Sequence, residues 1–362
     1  MPPASSRPPG YLAYAIILTR ARRSPDTRSR ASMLMPRRSW FPLGLVLGFA
    51  LDALAGDPRR AHPVALFGSA ASRVENLVWA DSRKHGVVFT AACVSPVAVA
   101  GLAVQQLAGR SRVAGAAVAA ATTWTVLGGT SLAAEASGMA RAIEAGDLDS
   151  ARRRLPALCG RDASDLGAAE LARATVESLA ENTSDAVVAP LLWGAACGLP
   201  GLLGYRAVNT LDAMVGHHSP RYERFGWAAA RLDDAANLLP ARVTGLLAAA
   251  LAPAVGGSTR RALRTMRRDG AAHPSPNGGR CEAAFAGALD VRLGGINNYQ
   301  GRIERRGTLG DGPPPGAADI ARAVRLSRLV SAAAVVLATV MACILPRRWI
   351  RGRDVRQRGR GR

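Results

Sequence analysis

Six apolar blocks constrain this chain more than any other feature: residues 40–56, 87–108, 113–134, 186–206, 243–257 and 328–345. A helix needs about 20 apolar residues to cross the hydrocarbon of a bilayer, where only an internally hydrogen-bonded backbone can do without water. The second, third and sixth blocks meet that length without interruption. The first carries Asp52, the fourth is broken by Gly198, Pro200 and Gly201, and the fifth is short and contains Pro253. These three are read as spans, re-entrant segments or bundle helices. No stretch sustains the period-two alternation of strands, and no fixed repeat recurs. The expected fold is therefore all-α, a multi-pass helical membrane protein with broken or re-entrant helices. Polar, motif-bearing loops at 57–86, 135–185, 207–242 and 258–327 are expected to carry the chemistry.

A net charge of +21 raises the question of nucleic acid, and its distribution argues against it. Residues 1–38 and 347–362 each hold eight Arg against one Asp, and no aromatic-interleaved basic face lies between them. Basic tails beside apolar blocks suit the positive-inside tendency and anionic lipid headgroups instead. The organisation expected is a basic, disordered extension over 1–38, one integral-membrane catalytic domain over 39–345, and a basic tail over 346–362. YLAYAIILT, near the N-terminus, is about half a span and is not read as a secretory signal, and Met33 and Met35 are candidate starts. Five cysteines at 93, 159, 197, 281 and 343 form no CxxC pair, so buried reduced thiols are expected.

The polar stretches hold three acidic clusters. ESLAENTSD places Glu177, Glu181 and Asp185 four apart, on one face of a helix, with Asn182 beside them. Either this is a solvated helix face, or a hard divalent cation relieves the repulsion between like charges at a membrane boundary. YRAVNTLDAMVG spaces Tyr205, Asn209 and Asp212 by four and three, and RLDDAANLLPAR does the same with Asp233, Asp234 and Asn237. Arg206, Arg231 and Arg242 stand next to them, suited either to phosphate or to bracing salt bridges. LDALAGDPRRAHPV offers Asp57 and His62 at a turn, His62 being suited equally to orienting a loop and to proton transfer. His85 has no motif around it, and His217 and His218 are expected at the surface. HPSPNGG reads as ordered turns over 273–279, with Ser275 and Asn277 before a helix, where exposed amides can cradle an anion. Lys84 is the only lysine, so there is no P-loop lysine, and any nucleotide phosphate must be met by Arg, backbone amides and a metal.

Four segments in this order resemble the CobD/CbiB family of cobalamin biosynthesis, the adenosylcobinamide-phosphate synthases. They are LDALAGDPRRAHPV, ESLAENTSDAVVAPLLWG, the run from YRAVNTLDAMVG to LLPARVT, and HPSPNGGRCEAAFAGALDVRLGGINNYQGR, between about Leu45 and Gly310. The resemblance implies a multi-pass enzyme of the cell membrane. It would join adenosylcobyric acid to (R)-1-amino-2-propanol or its O-phosphate, consuming ATP as co-substrate with Mg2+ as cofactor. Within that frame Glu181, Asn182, Asp185, Asp233 and Asp234 are the metal candidates. Glu177, Glu181, Asp185, Asp212, Asp57 and His62 are the catalytic ones. Tyr205, Arg206, Asn209, Arg231, Arg242, Ser275 and Asn277 are the expected contacts of phosphate or corrinoid groups. Membrane lipid and other enzymes of the pathway are the expected partners.

If all six blocks crossed, loop 207–242 would face away from 135–185 and 258–327, so a re-entrant turn at Gly198–Gly201 is the expected way to bring the chemistry to one side. The Arg-dense 258–327 segment argues that this side is cytoplasmic, where ATP is available. A magnesium-dependent prenyl or phosphoalcohol transferase is the nearest alternative enzyme, and a cation or corrinoid transporter is the alternative from another class.

Overall fold

The computed structural model describes residues 40–57, 62–217, 219–299 and 302–345. The expectations for the two basic tails, for His218 and for the middle of LDALAGDPRRAHPV lie outside those residues.

The first apolar block forms helix α1 (Trp40–Ala55), and α2 (Pro63–Val78) begins with the His62 ring accepting from the Val64 amide. Then come α3 (Arg83–Ala108) and α4 (Arg112–Val126), whose N-cap Ser82 and Ser111 hydroxyls accept from Lys84 and Ala114 N–H. Close approach of α1 and α4 depends on missing side chains. A Cβ on Gly44 would fall 2.3 Å from Ala119 Cβ, one on Gly48 2.4 Å from Thr123 Cβ, and one on Gly115 within 2.7 Å of the Trp40 ring. In a bilayer, where lipid competes equally for apolar surface, such small-residue packing is what holds helices together.

The third block bends at Leu127–Gly128, and the chain continues as α5 (Gly129–Glu144), followed by the short α6 (Leu148–Arg154) and by α7 (Ala168–Thr183). One π turn, Ser184–Val188, connects α7 to α8 (Ala189–Cys197). The fourth block then breaks where its glycine permits: Gly198 has φ of 77°, and α9 (Leu199–Val215) starts directly after it. The halves pack on each other, with a Cβ on Gly201 falling 2.8 Å from Cys197 Cβ and one on Gly194 2.7 Å from Leu202. Gln105 of α3, buried, accepts from the Leu199 amide at 3.0 Å and so satisfies the new helix start.

Two expectations are corrected here. Segment 207–242 is mostly helix rather than loop, because α9 runs to Val215 and α10 (Trp227–Leu251) starts 12 residues later and passes through Pro240. The fifth block is accordingly the end of a longer apolar helix, its hydropathy interrupted by Asp233, Asp234 and Arg242. Segment 258–327 holds α11 (Thr259–Asp269), α12 (Gly278–Leu289) and an antiparallel hairpin, β1 (Leu293–Tyr299) with β2 (Arg302–Leu309). Gly and Asn in RLGGINNYQGR conceal those strands from periodicity. The expected turn over 273–279 ends at Asn277, where α12 begins.

The last helix, α13 (Ala317–Ile344), packs against α1, α5, α7, α8 and α10, and Ser327 shares a 2.6 Å hydrogen bond with Thr183 of α7. Among the described residues, Arg83–Ala108, Arg112–Glu144, Trp227–Val255 and Ala317–Ile344 are long and apolar enough to cross a membrane. Cys93 and Cys281 are buried as expected, whereas Cys197 and Cys343 are exposed.

Candidate functional site

The α7 carboxylates part company at the helix end. Glu177, 3% exposed, is taken up by structure: its Oε2 meets Arg161 Nη2 at 2.5 Å, its Oε1 accepts the Gly294 amide at 2.7 Å, and Arg173 lies 3.6 Å away. It ties the 161 loop, α7 and the start of β1 together, and it does not face the cavity. Glu181 and Asp185, on the next turns, do line a cavity of about 430 Å3 shared by α7, α9, α10, the 273–277 turn and β2. Asn182 turns back along α7, donating to Ser178 O at 2.9 Å, and stands away from the lining.

Asn recurs beside Asp in this sequence because amides bridge carboxylates beneath the cavity floor. Asn209 Nδ2 lies 3.4 Å from both Asp185 Oδ2 and Asp233 Oδ1. Asn237 Nδ2 donates to Asp233 Oδ2 at 2.9 Å, and the Tyr205 hydroxyl donates to Asn237 Oδ1 at 2.8 Å. Asp212, Asp234 and Arg231 complete this acidic side, Arg231 reaching Asp234 at 3.4 Å. Burial pushes the Asp185 carboxyl well up, with Asp233, Glu181 and Asp212 adding repulsion. Burial also raises Glu181, and it lifts Asp212 to about 7 with help from Asp233 and Asp234.

Facing this wall is a turn built to present polar groups. The Ser275 amide donates to His273 Nδ1 at 3.0 Å, and Ser275 Oγ accepts the amides of Asn277 and Gly278 at 3.3 and 3.0 Å. Asn277 Nδ2 donates to Asp234 O at 2.7 Å, and Arg242 braces Asn277 Oδ1 at 3.3 Å. Ser275 and Asn277 line the cavity; Arg242 supports them from behind. Gly278 is required at the junction, since a Cβ there would lie 2.7 Å from Glu181 Oε1.

Besides Glu177 and Asn182, three more expected site residues lie elsewhere. Arg206 lines a second, mainly apolar cavity of about 200 Å3; it donates to Asn209 at 3.5 Å, and its charge acts on Asp185 of the acidic wall. Asp57 is a charge neighbour of Arg206, and His62 caps α2. Conversely, His273, Tyr222, Glu223, Glu304 and Arg306 line the main cavity without having stood out in the sequence. Glu282 lies beneath them. Its signal was legible as the lone carboxylate in CEAAFAGAL, an otherwise apolar helix.

A magnesium ion fits this donor set in one way and not in another. Among the described residues no three His, Cys, Asp or Glu side chains are placed to hold a metal by themselves. Magnesium typically takes one or two carboxylates and fills its remaining positions with water and phosphate oxygens. Asp185 and Asp233, held together by one amide in an oxygen-only wall, suit that role, and their mutual repulsion is the deficit a cation removes.

The family model described as CobD/Cbib protein matches residues 45–327. The cobalamin biosynthesis protein CobD of Mycobacterium tuberculosis is 54% identical over 299 residues, covering 83% of this chain and 95% of the relative. That of Geobacter metallireducens is 46% identical over 303 residues, covering 82% and 95%, and that of Rhodobacter capsulatus 40% over 313 residues, covering 84% and 98%. No solved structure matches. The matched span takes in α7, the acidic wall and the 273–277 turn, and on these grounds the chain belongs to the CobD/CbiB family.

Proposed function

We propose that this chain is the amide synthase of its family's pathway, cobalamin biosynthesis, joining the carboxylate of adenosylcobyric acid to (R)-1-amino-2-propanol or its O-phosphate at the cost of ATP. The observation that carries the reading is the meeting, in one cavity, of an acidic wall (Glu181, Asp185, Asp212, Asp233, Asp234) and an amide- and hydroxyl-rich turn (Ser275–Gly278). A nucleotide phosphate needs both: donors for its oxygens and carboxylates for its cation.

A carboxylate is a poor acyl donor. Its oxygen attacks the γ-phosphorus, ADP leaves, and an acyl phosphate forms; the amine nitrogen then attacks the acyl carbon and inorganic phosphate leaves. Magnesium would neutralise phosphate oxygens and bring two anions together, with Asp185 and Asp233 as the groups to hold it. Ser275, Asn277 and the α12 amides bind and orient phosphate, and Arg231 and Arg306 supply positive charge at the rim. Asp212 takes the proton that the attacking ammonium must lose: its carboxyl sits on the cavity, away from the Asn209 bridge, and titrates near neutrality. A corrinoid exceeds the cavity, so only its reacting arm enters. Trp227, 39% exposed, and Tyr222 offer flat surfaces to the ring at the mouth.

The setting is the cell membrane, with the cavity on the cytoplasmic side where ATP is available. The test is ATP-dependent incorporation of labelled aminopropanol, or its phosphate, into adenosylcobyric acid by purified protein. Amide product with matching ADP supports the reading; transport or binding of corrinoid without ADP, or transfer from a diphosphate donor, overturns it.

A further inference from the structure

Glu282 is the most deeply placed acidic side chain near the cavity, burial pushing its carboxyl well up, and it has no part in the chemistry above. It is 0% exposed, in a helix of which every residue except Arg280 is buried. Neither of its oxygens accepts a hydrogen bond among the described residues; the groups it faces are His273 Nε2 at 3.5 Å and Arg306 Nη1 at 3.9 Å. A carboxylate held in this way is costly, and an apolar side chain there would be cheaper for folding. The geometry of its neighbour indicates its use.

His273 is buried and accepts the Ser275 amide on Nδ1 at 3.0 Å. A neutral imidazole that accepts at one nitrogen carries its proton on the other, and the other nitrogen is the one facing Glu282. The ring is neutral, because burial and the neighbouring Arg306 push its pKa down to about 4. Behind Ser275, the same turn aligns Ser275 Oγ with the Asn277 and Gly278 amides.

We propose that Glu282 is a positioning residue: it holds His273 in the tautomer protonated at Nε2, and His273 in turn fixes the Ser275–Gly278 turn in the shape that binds the phosphates of the nucleotide. The logic is that of a buried carboxylate orienting a histidine through its far nitrogen, with the histidine serving a backbone amide rather than a nucleophile. This inference rests on the nucleotide reading above for the identity of the anion. The ordering of the turn does not depend on it.

The experiment combines hydrogen-exchange mass spectrometry of the full chain in detergent with ATP kinetics, for Glu282→Leu, Glu282→Gln, His273→Asn and His273→Phe. In Glu282→Leu and His273→Phe the amides of 275–278 exchange faster while α7 and α10 keep their protection, and the KM for ATP rises about tenfold with kcat within about threefold. Glu282→Gln restores both readouts, since its amide oxygen can accept from Nε2. His273→Asn retains turn protection, since Asn Oδ1 can stand in for Nδ1. The inference is overturned if exchange at 275–278 is unchanged in Glu282→Leu and His273→Phe, if Gln behaves as Leu does, or if protection is lost evenly over the whole chain. Should Glu282→Leu not fold, Glu282→Met takes its place with the same expected readouts, and the contrast between His273→Asn and His273→Phe tests the histidine's hold on the turn. If the wild type consumes no ATP, the functional reading falls, and the exchange contrast still decides the role of Glu282.

Discussion

Asn209 is the side chain that bridges Asp185 and Asp233, so Asn209→Leu, close in size, is the sharpest perturbation of the site. It removes one amide that spans Asp185 and Asp233 at 3.4 Å each and that accepts from Arg206 at 3.5 Å. Hydrogen bonds to charged groups contribute roughly 1.5–3 kcal/mol when short and well aligned, so at these lengths about 1 kcal/mol each is appropriate for the two carboxylates. The two together give about 2 kcal/mol, or roughly a 30-fold loss in kcat/KM for amide formation. Because the amide also keeps two like charges at a spacing that suits one cation, the magnesium concentration giving half-maximal rate rises in the same variant. The assay is ATP-dependent amide synthesis at a series of magnesium concentrations, with thermal unfolding in detergent as a control for folding. A variant that folds and retains kcat/KM within about threefold at every magnesium concentration would refute the assignment of this wall to the cation.

Further expected outcomes concern the site and its scaffold. With Asp212 raised to about 7, the rate rises with pH through about 7 as the carboxyl loses its proton, and Asp212→Asn removes that limb from the pH–rate profile. The same raised carboxyls bind protons more tightly folded than unfolded. Their contribution to stability in chelator is therefore full below about pH 4 and lost as pH rises through about 7; magnesium lessens the loss, as melting temperatures of wild type and Asp212→Asn against pH would show. Glu177→Ala leaves Arg161 buried without its carboxylate and destabilises by about 3–5 kcal/mol, seen as a lower unfolding midpoint rather than as a selective change in KM. Gly278→Ala puts a Cβ 2.7 Å from Glu181 Oε1, so the carboxylate must move; activity falls while the melting temperature holds within a few degrees.

The sequence made the helical membrane architecture legible because spanning segments must be long and apolar, and Arg83–Ala108 and Ala317–Ile344 coincide with blocks read directly from hydropathy. The break in the fourth block was equally readable, since only Gly198 could take the positive φ found there. Segment boundaries failed where an apolar helix carries polar groups: Asp233, Asp234 and Arg242 made the first half of α10 look like a loop. Glu181, Asp185, Asp212, Asp233, Asp234, Arg231, Ser275 and Asn277, singled out from spacing and resemblance, line one cavity. Glu177 shares the spacing but points to a different partner, which helical periodicity cannot reveal because Arg161 arrives from another segment. His273 and Arg306 escaped notice for the converse reason: the fold brings them to Glu282 across distances in sequence that carry no local pattern.

The most direct test of the account is the fate of the carboxylate oxygen. Adenosylcobyric acid labelled with 18O in its reacting carboxylate, incubated with ATP, magnesium, aminopropanol or its phosphate and the purified protein, should yield the amide with one label retained. The second label should be found in inorganic phosphate, together with one ADP for each amide formed. Label in AMP, or amide formed without any transfer of label to phosphate, would contradict the acyl-phosphate route and the role given to this cavity.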